Sequence, residues 1–282
     1  RCFNGRAALI AAQPHRYRMD LQLAGKVALV TGSTAGIGYA AAFAMAQEGA
    51  EVIVNGRTTD RVEKAAQMIL NSLPEATVHV LAADLGTAAG VDDAVRRFPQ
   101  VDILVNNLGI FEPKPFEQIT DADWMRFFEV NVLSGVRLSR HYLPKMREAN
   151  WGRIIFVSSE SALQIPAEMI HYGMTKTAQL AIARGIAETV AGTNITVNAV
   201  LPGPTASEGV NEFVDRLSTQ QNASRQEFEK RFFEQMRPTS LLKRFETPEE
   251  IAACIAFVAS PLASAINGAS LRIDGGVVRS IA

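Results

Sequence analysis

The sequence predicts an α/β fold: a single, doubly wound parallel sheet of about seven strands with helices on both faces. Three observations carry this. From Lys26 onward, short β-branched runs alternate with longer Ala- and Leu-rich stretches. The short runs are almost continuously apolar, as strands covered on both faces must be. A turn with glycines at 32, 36 and 38 joins the first run to the first helical stretch.

The elements read in order as follows. Val27–Thr31 is the first strand, and Gly36–Glu48 an Ala-rich helix ended by Gly49. Val52–Val54 is the second strand, followed by a helix over Asp60–Leu73, capped by Asp60 and stopped before Pro74. Val78–Leu81 is a third strand, Ala88–Phe98 a short helix and Val101–Asn106 a fourth strand. Thr120 or Asp121 caps one long helix running to about Glu148, with Pro144 kinking or ending it near its last turn. Ile154–Val157, the helix His171–Val190, the strand Ile195–Val200, the helix Pro248–Ser260 and the strand Ser270–Ile273 complete the alternation. Right-handed crossovers between such strands build a Rossmann-type sheet.

The segment from Pro204 to about Arg244 breaks the rhythm with many charges, a helical stretch over Ser224–Met236 and no strand signal. It follows the sixth strand, at the sheet edge where ligands bind. Residues 20–282 therefore read as one domain carrying an insertion at about 204–244. Residues 1–19 hold four arginines and no acid. They read as an extension outside the fold, with Met19 as a candidate natural start, or as the remnant of a mitochondrial-type presequence.

Composition excludes several classes. The formal net charge is −1, with 28 Lys and Arg against 29 Asp and Glu, and no half of the chain is strongly acidic or basic. Neither nucleic acid nor a membrane surface is an expected partner. The two cysteines, Cys2 and Cys254, form no CxxC pair and stand near no His cluster, so neither a disulfide framework nor a metal site is expected. A reducing, cytoplasmic location fits that usage. Runs of about twenty apolar residues are lacking.

The chemistry-bearing residues gather after successive strands. Gly32, Thr34, Gly36, Ile37 and Gly38 form the turn after the first strand. Glycine is needed where backbone turns sharply and must approach a pyrophosphate, and the following helix offers unpaired amides and a positive dipole end. An acid at the end of the second strand would bind the ribose hydroxyls of NAD(H), but Asn55-Gly56-Arg57-Thr58 stands there instead. Arg57 either pairs with a 2′-phosphate or is a solvated loop arginine. NADP(H) is thus favoured, with NAD(H) the alternative. Asp84, with Leu85 beside it, follows the third strand; the carboxylate either accepts from the adenine amino group or caps the next helix. Asn106-Asn107-Leu108-Gly109 is a turn against a phosphate or ribose edge, or simply a tight turn.

Tyr172 and Lys176 stand four apart on a helix and share a face. An ammonium beside a phenol favours the phenolate, which lets the phenol trade a proton with an alkoxide near neutral pH. Their helix follows the fifth strand, whose end carries Ser158 and Ser159.

Taken together, the turn at 31–38, Asp84, Asn106–Gly109, Asn131, Ser159, Tyr172-Gly-Met-Thr-Lys176, Pro202-Gly203 and Asp274-Gly275-Gly276 resemble the short-chain dehydrogenases/reductases, from about Leu23 to Val277. The resemblance implies hydride transfer between a nicotinamide and a carbonyl or alcohol carbon. It implies that Ser159, thirteen residues before Tyr172, polarises the carbonyl oxygen, and that Tyr172 is the acid/base. Lys176 would lower the Tyr172 pKa and hold the nicotinamide ribose. Asn131 would anchor a water in a proton relay, Pro202 and Gly203 would sit beside the nicotinamide, and Thr205 would donate to its carboxamide. The sequence departs from the family at Leu108 (usually Ala), at Ala35 (often basic in NADP-preferring members) and at Ser207 (commonly Thr).

The substrate pocket is expected between residues 161–171 and the insertion, with Leu163, Ile165, Met169, Phe213 and Phe232 as apolar wall and Glu168, His171 and Arg231 in reach. The resemblance leans toward a 3-oxoacyl-thioester-reductase-like protein and a homotetramer or homodimer. Two rival classes are a non-catalytic NADP(H)-binding redox sensor and a Rossmann methyltransferase. The intact Ser-Tyr-Lys set argues against the first. The missing acid after the second strand argues against the second.

Overall fold

The computed structural model describes residues 19–210, 214 and 224–281. These build one sheet of seven parallel strands in the order β3-β2-β1-β4-β5-β6-β7. The strands are β1 (Val27–Val30), β2 (Glu51–Gly56), β3 (Val78–Ala82), β4 (Ile103–Asn106), β5 (Gly152–Val157), β6 (Ile195–Pro202) and β7 (Ser270–Ile273). Between them run α1 (Gly36–Gln47), α2 (Thr59–Ser72), α3 (Ala88–Arg97), α4 (Asp121–Phe128), α5 (Ser134–Ala149), α6 (Ile170–Thr189), α7 (Arg225–Arg231) and α8 (Pro248–Ala259).

Strand periodicity divides the core. Ala28 and Val30 of β1 and Ile155 and Val157 of β5 point to one face, against Met45 of α1, Ile69 of α2 and Ile255 of α8. Leu29, Ile154 and Phe156 point to the other, against Val91 of α3, Leu138 and Tyr142 of α5 and Ala183 of α6. Each such side chain, fully buried, stabilises the fold by about 1.5–3 kcal/mol before entropy is counted. Strand order reverses between β1 and β4, so the crevice for ligands opens at their carboxyl ends.

The structure corrects several boundaries. Strand β2 continues through Asn55 and Gly56 because these pair with Leu81 and Ala82 of β3. Thr58, not Asp60, holds the N-cap of α2. Thr87 caps α3 by accepting from the Gly90 N–H, so Asp84 is not that cap. The long helix after β4 is three pieces, since a π-turn over Glu129–Leu133 separates α4 from α5. Thr120 caps α4 in a reciprocal box with Asp123. Pro144 stays inside α5 without ending it, because the helix is held on both sides by buried Leu138, Tyr142 and Met146. Thr205, at the start of the insertion, pairs with Glu246, just past its end, as a short parallel bridge. Among the described residues no helix is long and apolar enough to cross a membrane, and no cluster of His, Cys, Asp and Glu could hold a metal. Phe213, Cys2 and the extension up to residue 18 lie outside the described residues.

Candidate active site

The carboxyl ends of β1, β4 and β5 meet the amino end of α1 in a cleft of about 330 Å³. Gly32, Thr34, Gly36, Ile37, Gly38, Asn107 and Gly109 line it, with Tyr172 and Lys176. No side chain caps α1 and no acid stands in its first turn, so its amides and dipole are left for an anion. Gly38 is required by close approach: a Cβ there would lie 2.5 Å from Asn107 Nδ2 and from the Gly32 carbonyl oxygen. Gly36 has φ +58°, and a Cβ there would meet the Ser207 side chain at 3.1 Å. Three features of this cleft therefore fit a dinucleotide pyrophosphate: bare amides, a positive dipole end and a glycine backbone.

Asn55 is a residue that the sequence reading passed over. Its buried amide accepts from the Gly32 N–H (3.0 Å) and donates to the carbonyls of Leu81 (3.0 Å) and Ala83 (3.1 Å). It pins the glycine turn to β3; the only signal for it was a polar residue closing an apolar strand. Asn107 does similar work, donating to the carbonyls of Thr31 (2.9 Å) and Gly32 (3.1 Å). The Thr31 hydroxyl in turn accepts from the N–H groups of Asn107 (2.9 Å) and Leu108 (2.8 Å).

Arg57 is exposed just past β2. A second arginine, Arg61 on α2, lines the cleft and pairs with Glu208 at 2.7 Å. Asp84 is exposed and accepts from the Gly86 N–H at 3.0 Å. The Leu85 side chain is buried in the core, so only its backbone could face a cofactor. Pro202 ends β6, the Gly203 N–H donates to the Ile273 carbonyl (2.8 Å) and to Glu246 (3.0 Å), and the Thr205 hydroxyl donates to the Gly203 carbonyl (2.9 Å). That hydroxyl is thus committed to its own turn.

Ser159 opens a 3₁₀ turn at the end of β5, and its Oγ accepts from the Ser161 N–H at 3.1 Å. Tyr172 hydrogen-bonds with Ser159. Ser158 has a different job, donating to the Lys176 carbonyl at 2.8 Å and tying β5 to α6. Burial pushes the Tyr172 phenol up to about 12, its hydrogen bond with Ser159 pulling the other way. Burial also pushes the Lys176 ammonium down to about 7. Lys176 Nζ donates to the Val157 carbonyl at 2.9 Å and lies 5.6 Å from the Tyr172 ring centroid. Burial is the largest influence on the Tyr172 phenol.

Asn131 sits in the π-turn, 1% exposed; such turns recur at functional sites. Its side chain accepts from the Ile110 N–H (2.8 Å) and donates to the Ile110 carbonyl (3.0 Å) and to Thr175 (3.0 Å). Its carbonyl accepts from Gln179 Nε2 at 2.6 Å, while Gln179 Oε1 accepts from Lys176 Nζ at 3.4 Å. Gln179 therefore links Asn131 to Lys176, a connection that one more polar residue on an Ala-rich helix did not announce.

Beside the cleft lies a cavity of about 200 Å³. Met169, Phe232 and Glu168 line it as expected, and Phe111, Glu160, Met236 and Arg237 join them. Leu163 and Ile165 are exposed instead. His171 packs against Phe127 at 4.0 Å between ring centroids, because the start of α6 faces α4 rather than the cavity. Tyr172 lines both cavity and cleft, with Ser159 on one side and Lys176 on the other.

The chain matches the short chain dehydrogenase family over residues 26–217. It is 52% identical over 263 residues to the oxidoreductase YvaG of Bacillus subtilis, covering 93% of this chain and all of that one. It is 32% identical over 263 residues to the 3-oxoacyl-[acyl-carrier-protein] reductase FabG of Aquifex aeolicus, covering 92% and 100%. Its fold superposes on the L-sorbose reductase of Gluconobacter frateurii, solved with NADPH and L-sorbose, with a TM-score of 0.87, 31% identity and coverage of 93% and 100%. With most of the chain matched in sequence and in fold, this protein belongs to the short-chain dehydrogenase/reductase family.

Proposed function

We propose that the chain is an NADP(H)-dependent oxidoreductase that interconverts a carbonyl and an alcohol, with Tyr172 as acid/base, Ser159 as carbonyl-oxygen partner and Lys176 as ribose and proton-relay partner. One observation carries this: Tyr172 lines both the dinucleotide-shaped cleft and the neighbouring cavity, with Ser159 on the cavity side and Lys176 on the cleft side. The bare amino end of α1 would hold the pyrophosphate, and Arg57 the 2′-phosphate; the L-sorbose reductase it resembles was solved with NADPH. When bound, the nicotinamide supplies the hydride for the carbonyl carbon.

The protein's part is proton placement. With its phenol pushed up to about 12, Tyr172 holds its proton at neutral pH, the state that protonates a nascent alkoxide. That is the protonation state the reductive direction starts from. Ser159 orients and polarises the carbonyl oxygen. Lys176, titrating near 7, can pass a proton on through its polar neighbours, with Asn131 and Gln179 behind it. The cavity of about 200 Å³ suits a compact carbonyl group or the reactive end of a longer substrate such as an acyl thioester. A homodimer or homotetramer is the expected assembly, and light scattering at micromolar concentration reads it directly.

The experiment is a carbonyl panel (L-sorbose, an acetoacetyl thioester and para-nitrobenzaldehyde), followed by NADPH absorbance, with Tyr172→Phe alongside. At least one carbonyl should turn over, and the variant should lose about 10³-fold or more in kcat while still binding NADPH. Unchanged turnover in the variant would remove Tyr172 from its role. Tight NADPH binding with no turnover on any carbonyl would assign the chain to the redox-sensor class.

A further inference from the structure

Directly after Ser159 stands a carboxylate that the chemistry above does not use. Glu160 is 3% exposed, and its Oε2 accepts from Ser159 Oγ at 3.2 Å and from Ser161 Oγ. Its Oε1 accepts from Arg237 Nε at 2.8 Å. Arg237 is 8% exposed and comes from the far side of the insertion, just after the π-turn Phe232–Met236. Its Nη1 donates to the Met236 carbonyl (2.9 Å) and to Glu168 (3.2 Å). Both members of the pair line the cavity that Tyr172 and Ser159 enter.

We propose that Glu160 is a positioning residue that orients the Ser159 hydroxyl, and that Arg237, clamped to it, cancels its charge beside Tyr172, so that the balanced pair sets the field in which the phenol works. The proposal rests on Tyr172 being the acid/base. A carboxylate this buried is costly unless paired, and Arg237 is the paired cation. Because Ser159 donates its proton to Glu160, its oxygen lone pairs are left facing the Ser161 N–H and Tyr172. When a carbonyl oxygen enters the cavity, the hydroxyl turns its single proton from Glu160 to that oxygen, about a Ser159 oxygen held in place by the Ser161 N–H. The charged and titratable groups around the phenol are Lys176 and His171 on α6, Glu160 and Glu168 on the two short turns before it, and Arg237 opposite. Glu160 raises the Tyr172 pKa and Arg237 lowers it, so the two act in opposition on one group. The same ion pair fastens the described end of the insertion, at Arg237, to the end of β5 beside Ser159.

The test is the pH profile of kcat/KM for NADP⁺-dependent oxidation of the alcohol matching the fastest panel carbonyl. That direction needs the phenolate, so its acid limb reports Tyr172. Glu160→Gln removes the nearer of the two carboxylates on Arg237, leaving it paired with Glu168 alone, and should move the limb down by about half a unit or more. Arg237→Met leaves the carboxylate uncancelled and should move it up by a similar amount. The double variant should return close to the wild-type profile, while losing turnover through a less ordered Ser159. Opposite shifts that cancel are a signature a merely structural pair would not produce. Shifts in the same direction, or none, overturn the proposal. If Arg237→Met does not fold, Glu160→Gln against the double variant carries the test, and coincident limbs for those two overturn it. Turnover surviving Tyr172→Phe marks failure of the underlying reading, whereas turnover lost in that variant with unmoved limbs in the others marks failure of this one.

Discussion

Replacing Lys176 with Met should stabilise the cofactor-free protein at neutral pH while abolishing its activity. Lys176 is 4% exposed, and burial lowers its ammonium from 10.5 to about 7. The unfolded chain keeps that proton up to about 10.5, whereas the folded chain gives it up near 7. Between those values the unfolded state binds more protons, so stability rises with pH across the window. The cost is complete below about 7 and gone above about 10.5. At roughly 1.4 kcal/mol per unit, the cost below the window reaches roughly 5 kcal/mol as an upper bound. Met fills similar space without that cost, but it leaves the Val157 carbonyl without its 2.9 Å donor, a loss of about 1–3 kcal/mol. The net gain at pH 7 is then about 2 kcal/mol, or roughly 4–8 °C in Tm for a chain of this size. Paired urea melts at pH 7 and pH 10 would show the variant ahead at the lower pH and level or behind at the higher. A Lys176→Met protein less stable than the wild type by the same amount at both values would refute the argument, because the buried ammonium would then carry no cost.

Three further outcomes follow from the same geometry. Arg57→Ala should weaken NADPH by about tenfold to a hundredfold, the worth of one charge-assisted phosphate contact, and leave NADH nearly unchanged; equal losses in a fluorescence titration would return Arg57 to the solvent. Asn55→Leu strands the Gly32 N–H and the Leu81 and Ala83 carbonyls, so it should cost about 2–4 kcal/mol in urea melts and raise the KM for NADPH through a loosened glycine turn. Gly38→Ala forces a Cβ to 2.5 Å from Asn107 Nδ2 and the Gly32 carbonyl oxygen, and should cost about 1–3 kcal/mol with weakened NADPH binding.

The central strands were legible because they are buried on both faces, and burial leaves an apolar signature even in four residues such as Ile103–Asn106. Their ends were less legible, because pairing decides them. Asn55 and Gly56 look like loop residues until β3 lies alongside and Leu81 and Ala82 take up their register. The helix after β4 shows the opposite limit. Its apolar spacing runs through Glu129–Leu133 with nothing to mark the π-turn, since that turn is specified by what Asn131 must reach across the fold at Ile110 and Thr175.

The same division runs through the site. Tyr172 and Lys176 could be paired from sequence because helical periodicity puts residues four apart on one face. Glu160 and Gln179 could not, for each takes its meaning from a distant partner: Arg237, 77 positions along the chain, and Asn131, 48 positions back. Periodicity also could not say what governs the phenol. A lysine one turn away suggests an ammonium lowering a tyrosine, yet the fold buries both groups together. It raises the phenol to about 12 and lowers the amine to about 7, so that each drifts toward its neutral form. At neutral pH the site thus holds a protonated acid beside a relay group near its titration range. Charge brought into the cleft by a bound dinucleotide would act on both at once, and pH profiles of the free and NADPH-bound protein should therefore differ most at these two residues.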